Sequence, residues 1–114
     1  MPNQKADKEF LEKMEQIVAE HLGNESFGVS ELAKELGMSR SNLHRKVNAL
    51  TNISVSQYIR FARLQHGKEL LQTTSLTVSE VAYKVGFNSP SYFIKCFHDF
   101  YGYSPGQVEI LPDE

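Results

Sequence analysis

The 114-residue sequence holds a single cysteine, Cys96, which excludes an internal disulfide and a cysteine-rich zinc site. One unpaired thiol suits a reducing compartment. No apolar run approaches the length of a membrane span and no signal-peptide pattern follows Met1, so no membrane contact is expected of this segment and the cytoplasm is its expected location. The sequence lacks a glycine-rich phosphate loop and a nucleophile elbow. Its four histidines, His21, His44, His66 and His98, form no His-x-x-x-His or Cys/His cluster, so neither a metal nor another cofactor is expected. The frequent serines are accounted for by helix caps. These absences leave no reason to read an enzyme. What is present, 40% hydrophobic residues and no low-complexity tract, suits one domain or two small lobes sharing a connector.

Excess positive charge is also missing: the net charge is −2. Its distribution is uneven. Residues 1–37 carry four Lys/Arg against eight Asp/Glu, a balance of −4, and residues 101–114 carry −3. Residues 38–100 carry eight Lys/Arg against Glu69, Glu80 and Asp99, a balance of +5. Local field rather than total charge steers a polyanion, and the middle of this chain is basic.

That middle contains a repeated pattern. Thr77-x-x-Glu80 is a capping box that opens a helix. Val78, Val81, Ala82 and Val85 recur at helical spacing, and Gly86 stops the run. Ser89-Pro90 opens a second helix, with Ser as N-cap and Pro at the first helical position. Phe93, Phe97 and Phe100 are its expected buried stripe. Forty-nine residues earlier, Gly28-x-x-Glu31, Ala33, Gly37 and Met38 repeat Thr77-x-x-Glu80, Ala82, Gly86 and Phe87. After the turn the offset becomes 50, because Asn88 is extra; Ser39, Leu43, Val47 and Leu50 then match Ser89, Phe93, Phe97 and Phe100. Ser54-x-x-Gln57 matches Ser104-x-x-Gln107. Two copies are too few for a solenoid and imply two similar helix-turn-helix lobes. Such a unit reads DNA when its second helix turns polar and basic groups outward.

These residues resemble the DNA-binding domain of the AraC/XylS family of bacterial transcription regulators. The resemblance covers roughly Phe10 to Val108. Its most specific part is Val81-Ala82-x-x-Val85-Gly86-Phe87, then Ser91-Tyr92-Phe93, Phe97, Gly102 and Ser104-Pro105. It implies an all-α fold of about seven helices, with two helix-turn-helix lobes joined by a long connecting helix. The expected division is a disordered lead at 1–6, a first lobe at 7–53, the connecting helix at 54–74, and a second lobe with its tail at 75–114. In this family the domain is usually the C-terminal part of a longer regulator, which implies a sensory or receiver domain ahead of it. A family variant with the DNA-binding domain alone also exists.

Along the chain, Asp7 to Leu22 reads as a helix with Phe10, Met14, Ile17 and Val18 on one face, ended by Gly23. Asp7, Glu9, Glu12, Glu15 and Glu20 make its other face acidic, either as a solvated face or as a docking face for another domain or RNA polymerase. Gly28–Leu36 and Ser39–Leu50 are the helices of the first lobe. Arg40, Ser41, His44, Arg45 and Asn48 are expected to face outward from the second of them, with Lys46 on the same outward surface. The resemblance matches Ser41, His44 and Arg45 to base-reading positions, and an Arg there can donate two hydrogen bonds to guanine. Arg40 and Lys46 are expected on phosphate, which positions without specifying. Ser54–Thr73 is the connector; at ~1.5 Å per residue it spans about 30 Å, near the ~34 Å between major-groove faces one turn apart. Tyr58, Ile59, Ala62, His66 and Leu70 share adjoining positions on it, with Leu64 and Leu71 offset. Arg60 and Arg63 suit either phosphate contact or packing. Gly67 departs from the family's usual Ala, at ~1 kcal/mol of helix stability.

In the second lobe Pro90, Ser91, Ile94 and Lys95 occupy the matching outward turns. Lys95 replaces Arg45 and cannot reproduce its bidentate fork, so backbone affinity with less base discrimination is expected there. Tyr92 and Tyr101 suit core or phosphate, with core packing expected for Tyr92. Cys96 reads as a packing residue rather than a redox sensor. A last short helix is expected from Ser104 to about Ile110, with Glu109 standing where the family commonly has Arg, and Leu111–Glu114 as a free terminus. The apolar stripes are consumed by the lobes and no heptad seam remains, so this segment is expected to be monomeric. Two functions follow. One is sequence-specific binding of double-stranded DNA for transcription regulation, with helices 39–50 and 89–101 reading two successive major-groove segments. The other is a helical interaction module that has lost DNA binding. The acidic ends favour the module; outward Arg45, Lys46, Lys84 and Lys95 favour DNA.

Overall fold

The computed structural model describes residues 4–112. Its helices are α1 (Gln4–Glu20), α2 (Val29–Glu35), α3 (Arg40–Thr51), α4 (Val55–Thr73), α5 (Val78–Lys84) and α6 (Pro90–Tyr101), followed by a 3-10 turn at Pro105–Gln107. No strand occurs among the described residues. The expected caps organise these boundaries. Ser54 and Gln57 close a reciprocal capping box at the start of α4, as do Thr77 and Glu80 at α5, each through bonds of 3.0–3.1 Å. The Thr77 amide and hydroxyl hold the exposed Glu80 carboxyl below its ordinary range. At α2 half a box forms: the Gly28 amide donates to Glu31 Oε1 at 2.8 Å, and glycine has no side chain to return the bond.

The ends of the chain differ from the sequence reading. The lead at 1–6 was expected to be disordered, yet Gln4, Lys5 and Ala6 already belong to α1; Met1–Asn3 lie outside the described residues. Gln, Lys and Ala are good helix formers, and Asp7 in the first turn complements the helix dipole. The final helix expected to reach Ile110 is only the Pro105–Gln107 turn. Gly106 and β-branched Val108 disfavour continuation, and Val108 runs extended at φ −69°, ψ 128°. The terminus is tethered at Leu111, whose amide donates to the Gln72 carbonyl at 2.7 Å. Asp113 and Glu114, the last two residues of the expected free terminus, lie outside the described residues.

Two compact units form. Unit 1 takes the chain up to His21 together with Phe27–Ile59. It buries Met14, Ile17 and Val18 from α1, Leu32 and Ala33 from α2, Leu43 and Val47 from α3, and Val55 and Ile59 from the first turns of α4. Leu50, expected inside, is half-buried near the end of α3. His21 stacks on Phe27 at 4.4 Å and lies 2.9 Å from the Glu35 carboxylate. Ending α2, Gly37 turns left-handed at φ +67°, with the Met38 amide donating back to Ala33. That pair of features is the Schellman ending, in which orphan carbonyls of the last turn find donors.

Unit 2 takes Leu22–Ser26 and Arg60–Glu114, of which Asp113 and Glu114 are not described. Its core is Leu64 and Leu71 of α4, Val81, Ala82 and Val85 at α5, Phe87, and Phe93 and Phe97 of α6. Leu64 and Leu71, offset in the sequence pattern, are thus the buried pair of this part of α4, while Leu70 is only packed on the core. Phe100 was expected in the buried stripe, yet it is 37% exposed and stacks on the half-buried Phe61 at 4.5 Å. At the last turn of α6 its partner is this α4 ring rather than the valines of α5. Tyr101 packs at 4.6 Å on Phe97 and burial raises its phenol above the ordinary range. Lys68 Nζ sits 4.7 Å over its ring, so Tyr101 takes the core role. Cys96 is partly buried against the same core.

Gly67 acquires a reason in this unit. A Cβ there would stand 2.9 Å from Cε1 and 3.1 Å from Cζ of the fully buried Phe93. Glycine lets α4 approach that ring. In Gly67→Ala the gain in helix propensity, ~1 kcal/mol, is opposed by overpacking of about 1–3 kcal/mol. We expect a net loss of about 1 kcal/mol in urea unfolding; a more stable variant would mean the Phe93 ring yields without cost.

Candidate nucleic-acid interface

Both units carry the same device. In unit 1, Ser39 caps α3 by accepting the Asn42 amide at 3.1 Å. In unit 2, Ser89 caps α6 by accepting the Tyr92 amide at 3.2 Å, with Pro90 at its first position. The preceding turns match as well: the Phe87 amide donates to Ala82 as Met38 does to Ala33. Each helix ends left-handed, at Asn52 (φ 62°) for α3 and Gly102 (φ 83°) for α6, again 50 residues apart. Within each unit the start, the buried face and the end of the helix are therefore fixed by matching residues.

The opposite faces match too. Leu43 and Val47 are fully buried on α3, which turns Ser41, Arg45 and Asn48 to solvent at one residue per turn. Phe93 and Phe97 are fully buried on α6, which turns Ser91, Lys95 and His98 to solvent at the equivalent places. Arg40 is exposed at the start of α3, and His44 is half-buried beside its stripe. On α6, Pro90 is half-buried and Ile94 is exposed. Each stripe thus holds a hydroxyl, a cation and a further hydrogen-bonding group on a helix whose other side is anchored. Such a face can donate to phosphates and base edges.

The chain matches the helix-turn-helix domain family over residues 32–109. It is 38% identical over 103 residues to histidine kinase P4 of Formosa agariphila, covering 90% of this chain and 8% of that protein. It is 31% identical over 100 residues to the Msm operon regulatory protein of Streptococcus mutans, covering 88% of this chain and 36% of that protein. Among solved structures it is similar to the DNA-binding domain of AdpA, a global transcriptional factor held in complex with a target DNA: TM-score 0.77, 32% identity, 84% of this chain and 86% of that one. The chain belongs to the AraC/XylS family. It spans only 8% and 36% of the lengths of the two curated relatives named.

As an AraC-type domain the chain has the all-α, two-helix-turn-helix fold of that family. Lys46 and Tyr92 nevertheless sit otherwise than expected, and Arg63 takes one of the two roles open to it. Lys46 is half-buried, with its Nζ 4.3 Å over the Phe10 ring of α1, so a contact within unit 1 holds the ammonium expected on phosphate. Arg63 is taken up by packing. Its Nη1 donates to the Gly86 carbonyl and its Nη2 to the Asn24 carbonyl, both at 2.9 Å. Burial lowers its pKa against the opposing pull of Glu25. Arg60 is half-buried beside Lys95 and Asp99 in an open groove of about 420 Å³. Tyr92, expected in the core, is 46% exposed, with its ring 5.7 Å from Phe87. His98 was overlooked in the sequence; the 50-residue offset that pairs Lys95 with Arg45 pairs it with Asn48. Among the described residues no group of three or more His, Cys, Asp or Glu could hold a metal, and no helix is long and apolar enough to cross a membrane.

Proposed function

We propose that this chain is the sequence-specific DNA-binding part of a transcription regulator, with α3 and α6 entering two successive major-groove segments. The observation that carries this reading is the duplicated face: Ser41, Arg45 and Asn48 on one helix, Ser91, Lys95 and His98 on the other, each behind an anchored apolar stripe. Arg45 is the base reader of α3, supported by Ser41 and His44. Arg40 positions α3 on phosphate, and Lys46 joins it only by leaving Phe10. Ser91, Ile94 and Lys95 read or hold the second segment, with Pro90 setting the start of α6.

The regulator as a whole is a longer cytoplasmic protein in which a sensory or receiver domain controls this one, in line with the much greater length of the relatives. RNA polymerase is its second partner. The isolated chain is monomeric, because its buried stripes are used inside the two units.

Titration of labelled random-pool duplex at rising salt tests the proposal. Each phosphate contact releases counterions, so affinity falls about tenfold or more between 50 and 200 mM salt if at least two or three cations contact phosphate. A salt-independent response, or no binding to any pool member, favours the helical interaction module instead.

A further inference from the structure

The two exposed faces share a frame and differ in chemistry. At the 50-residue offset, Arg40, Asn42 and His44 of α3 stand where α6 has Pro90, Tyr92 and Ile94. Hydrogen-bonding groups give way to apolar ones, with a single hydroxyl kept on Tyr92. Ile94 is 41% exposed and lies outside both the core of unit 2 and the hydrophobics packed on that core. It contributes little to folding. An isolated exposed isoleucine is ordinary on a protein surface. This one neighbours Ser91 and His98 on the helix, three and four residues away, directly beside the stripe that also carries Lys95.

On the major-groove floor an apolar side chain has one complementary group, the C5 methyl of thymine. Opposite cytosine N4 or guanine O6 it would strip water from a donor or acceptor and supply no partner. We propose that Ile94 reads thymine methyl groups, so that the half of the site taken by unit 2 is selected for T at one or two positions while α3 selects by hydrogen bonds. This rests on the DNA-binding reading above.

The test removes only the methyl. A duplex chosen by site selection is rebuilt with deoxyuridine replacing thymine one position at a time, which keeps the pairing and every hydrogen-bonding group. With the unmodified chain, one or two replacements, in the half whose preferences survive Arg45→Ala, should lower affinity about 3- to 10-fold, the scale of one buried methyl. Ile94→Ala should bind the thymine and deoxyuridine duplexes equally. Equal binding of all deoxyuridine duplexes by the unmodified chain overturns the inference while leaving DNA binding intact. Continued discrimination by Ile94→Ala overturns the assignment to Ile94. Failure of the parent duplex to bind at low salt overturns the DNA-binding reading beneath it. The deoxyuridine arm uses the unmodified chain, so it does not depend on how any variant folds.

Discussion

Gly86→Ala destabilises unit 2 by about 2–5 kcal/mol and lowers its melting midpoint by about 10–20 °C. Two independent costs add. The first is conformational: Gly86 ends the helix-turn at φ +93°, where a side chain is strained. The second is steric. A Cβ would press on the Leu22 carbonyl oxygen and stand 3.0 Å from Arg63 Cζ. Moving Arg63 aside also weakens its bonds to the Gly86 and Asn24 carbonyls, which tie the 22–26 segment into this unit. Gly37→Ala is the internal control. Gly37 occupies the same turn at φ +67°, yet a Cβ there meets nothing within 4 Å. It carries the conformational cost alone, about 1 kcal/mol. Calorimetry of the two variants separates the terms. Equal losses would show that the packing of Leu22 and Arg63 around Gly86 relaxes freely.

Arg45→Ala lowers duplex affinity by about 1–3 kcal/mol, roughly 5- to 150-fold, and relaxes base preference at one position. The guanidinium is exposed in the centre of the α3 stripe, one turn after Ser41, and Leu43 and Val47 fix the helix beneath it. Its planar fork can take both acceptors of guanine, so the lost preference should be for G. Lys95→Ala should weaken binding by a smaller factor and evenly across sequences, because a lone ammonium meets phosphate as readily as a base. Site selection repeated with each variant compares preferences position by position. Relaxation at the same position in both variants would contradict one helix per half-site. Unchanged selection with Arg45→Ala would move direct readout to His44 or Ser41.

Sequence alone determined the repeat and most of what is local to it, the overlong final helix excepted. Thr77/Glu80, Ser54/Gln57, Ser39 and Ser89 cap helices where the pattern placed them, because a cap needs only residues within one turn of each other. Gly37 and Gly86 stop helices for the same local reason. Part of the exposed stripe of α3 and α6 also followed, Ser41 and Arg45 on one and Ser91 and Lys95 on the other, since burying Leu43 and Val47, or Phe93 and Phe97, turns the opposite side of the helix outward. What depends on contacts across long stretches of chain was decided only by tertiary structure. Arg63 reaches carbonyls 23 and 39 residues away and so becomes structural. Gly67 faces a ring 26 residues on, which turns a departure from the family pattern into a fit for Phe93. Lys46 finds Phe10 on another helix. Phe100, a core residue by periodicity, stays partly in water because a helical stripe says which way a side chain points and not whether a partner waits there, and Tyr92, also expected in the core, lies one residue off that stripe and is exposed. The tail that looked free is held through Leu111 by Gln72, a hydrogen bond between two backbones that no side-chain pattern encodes.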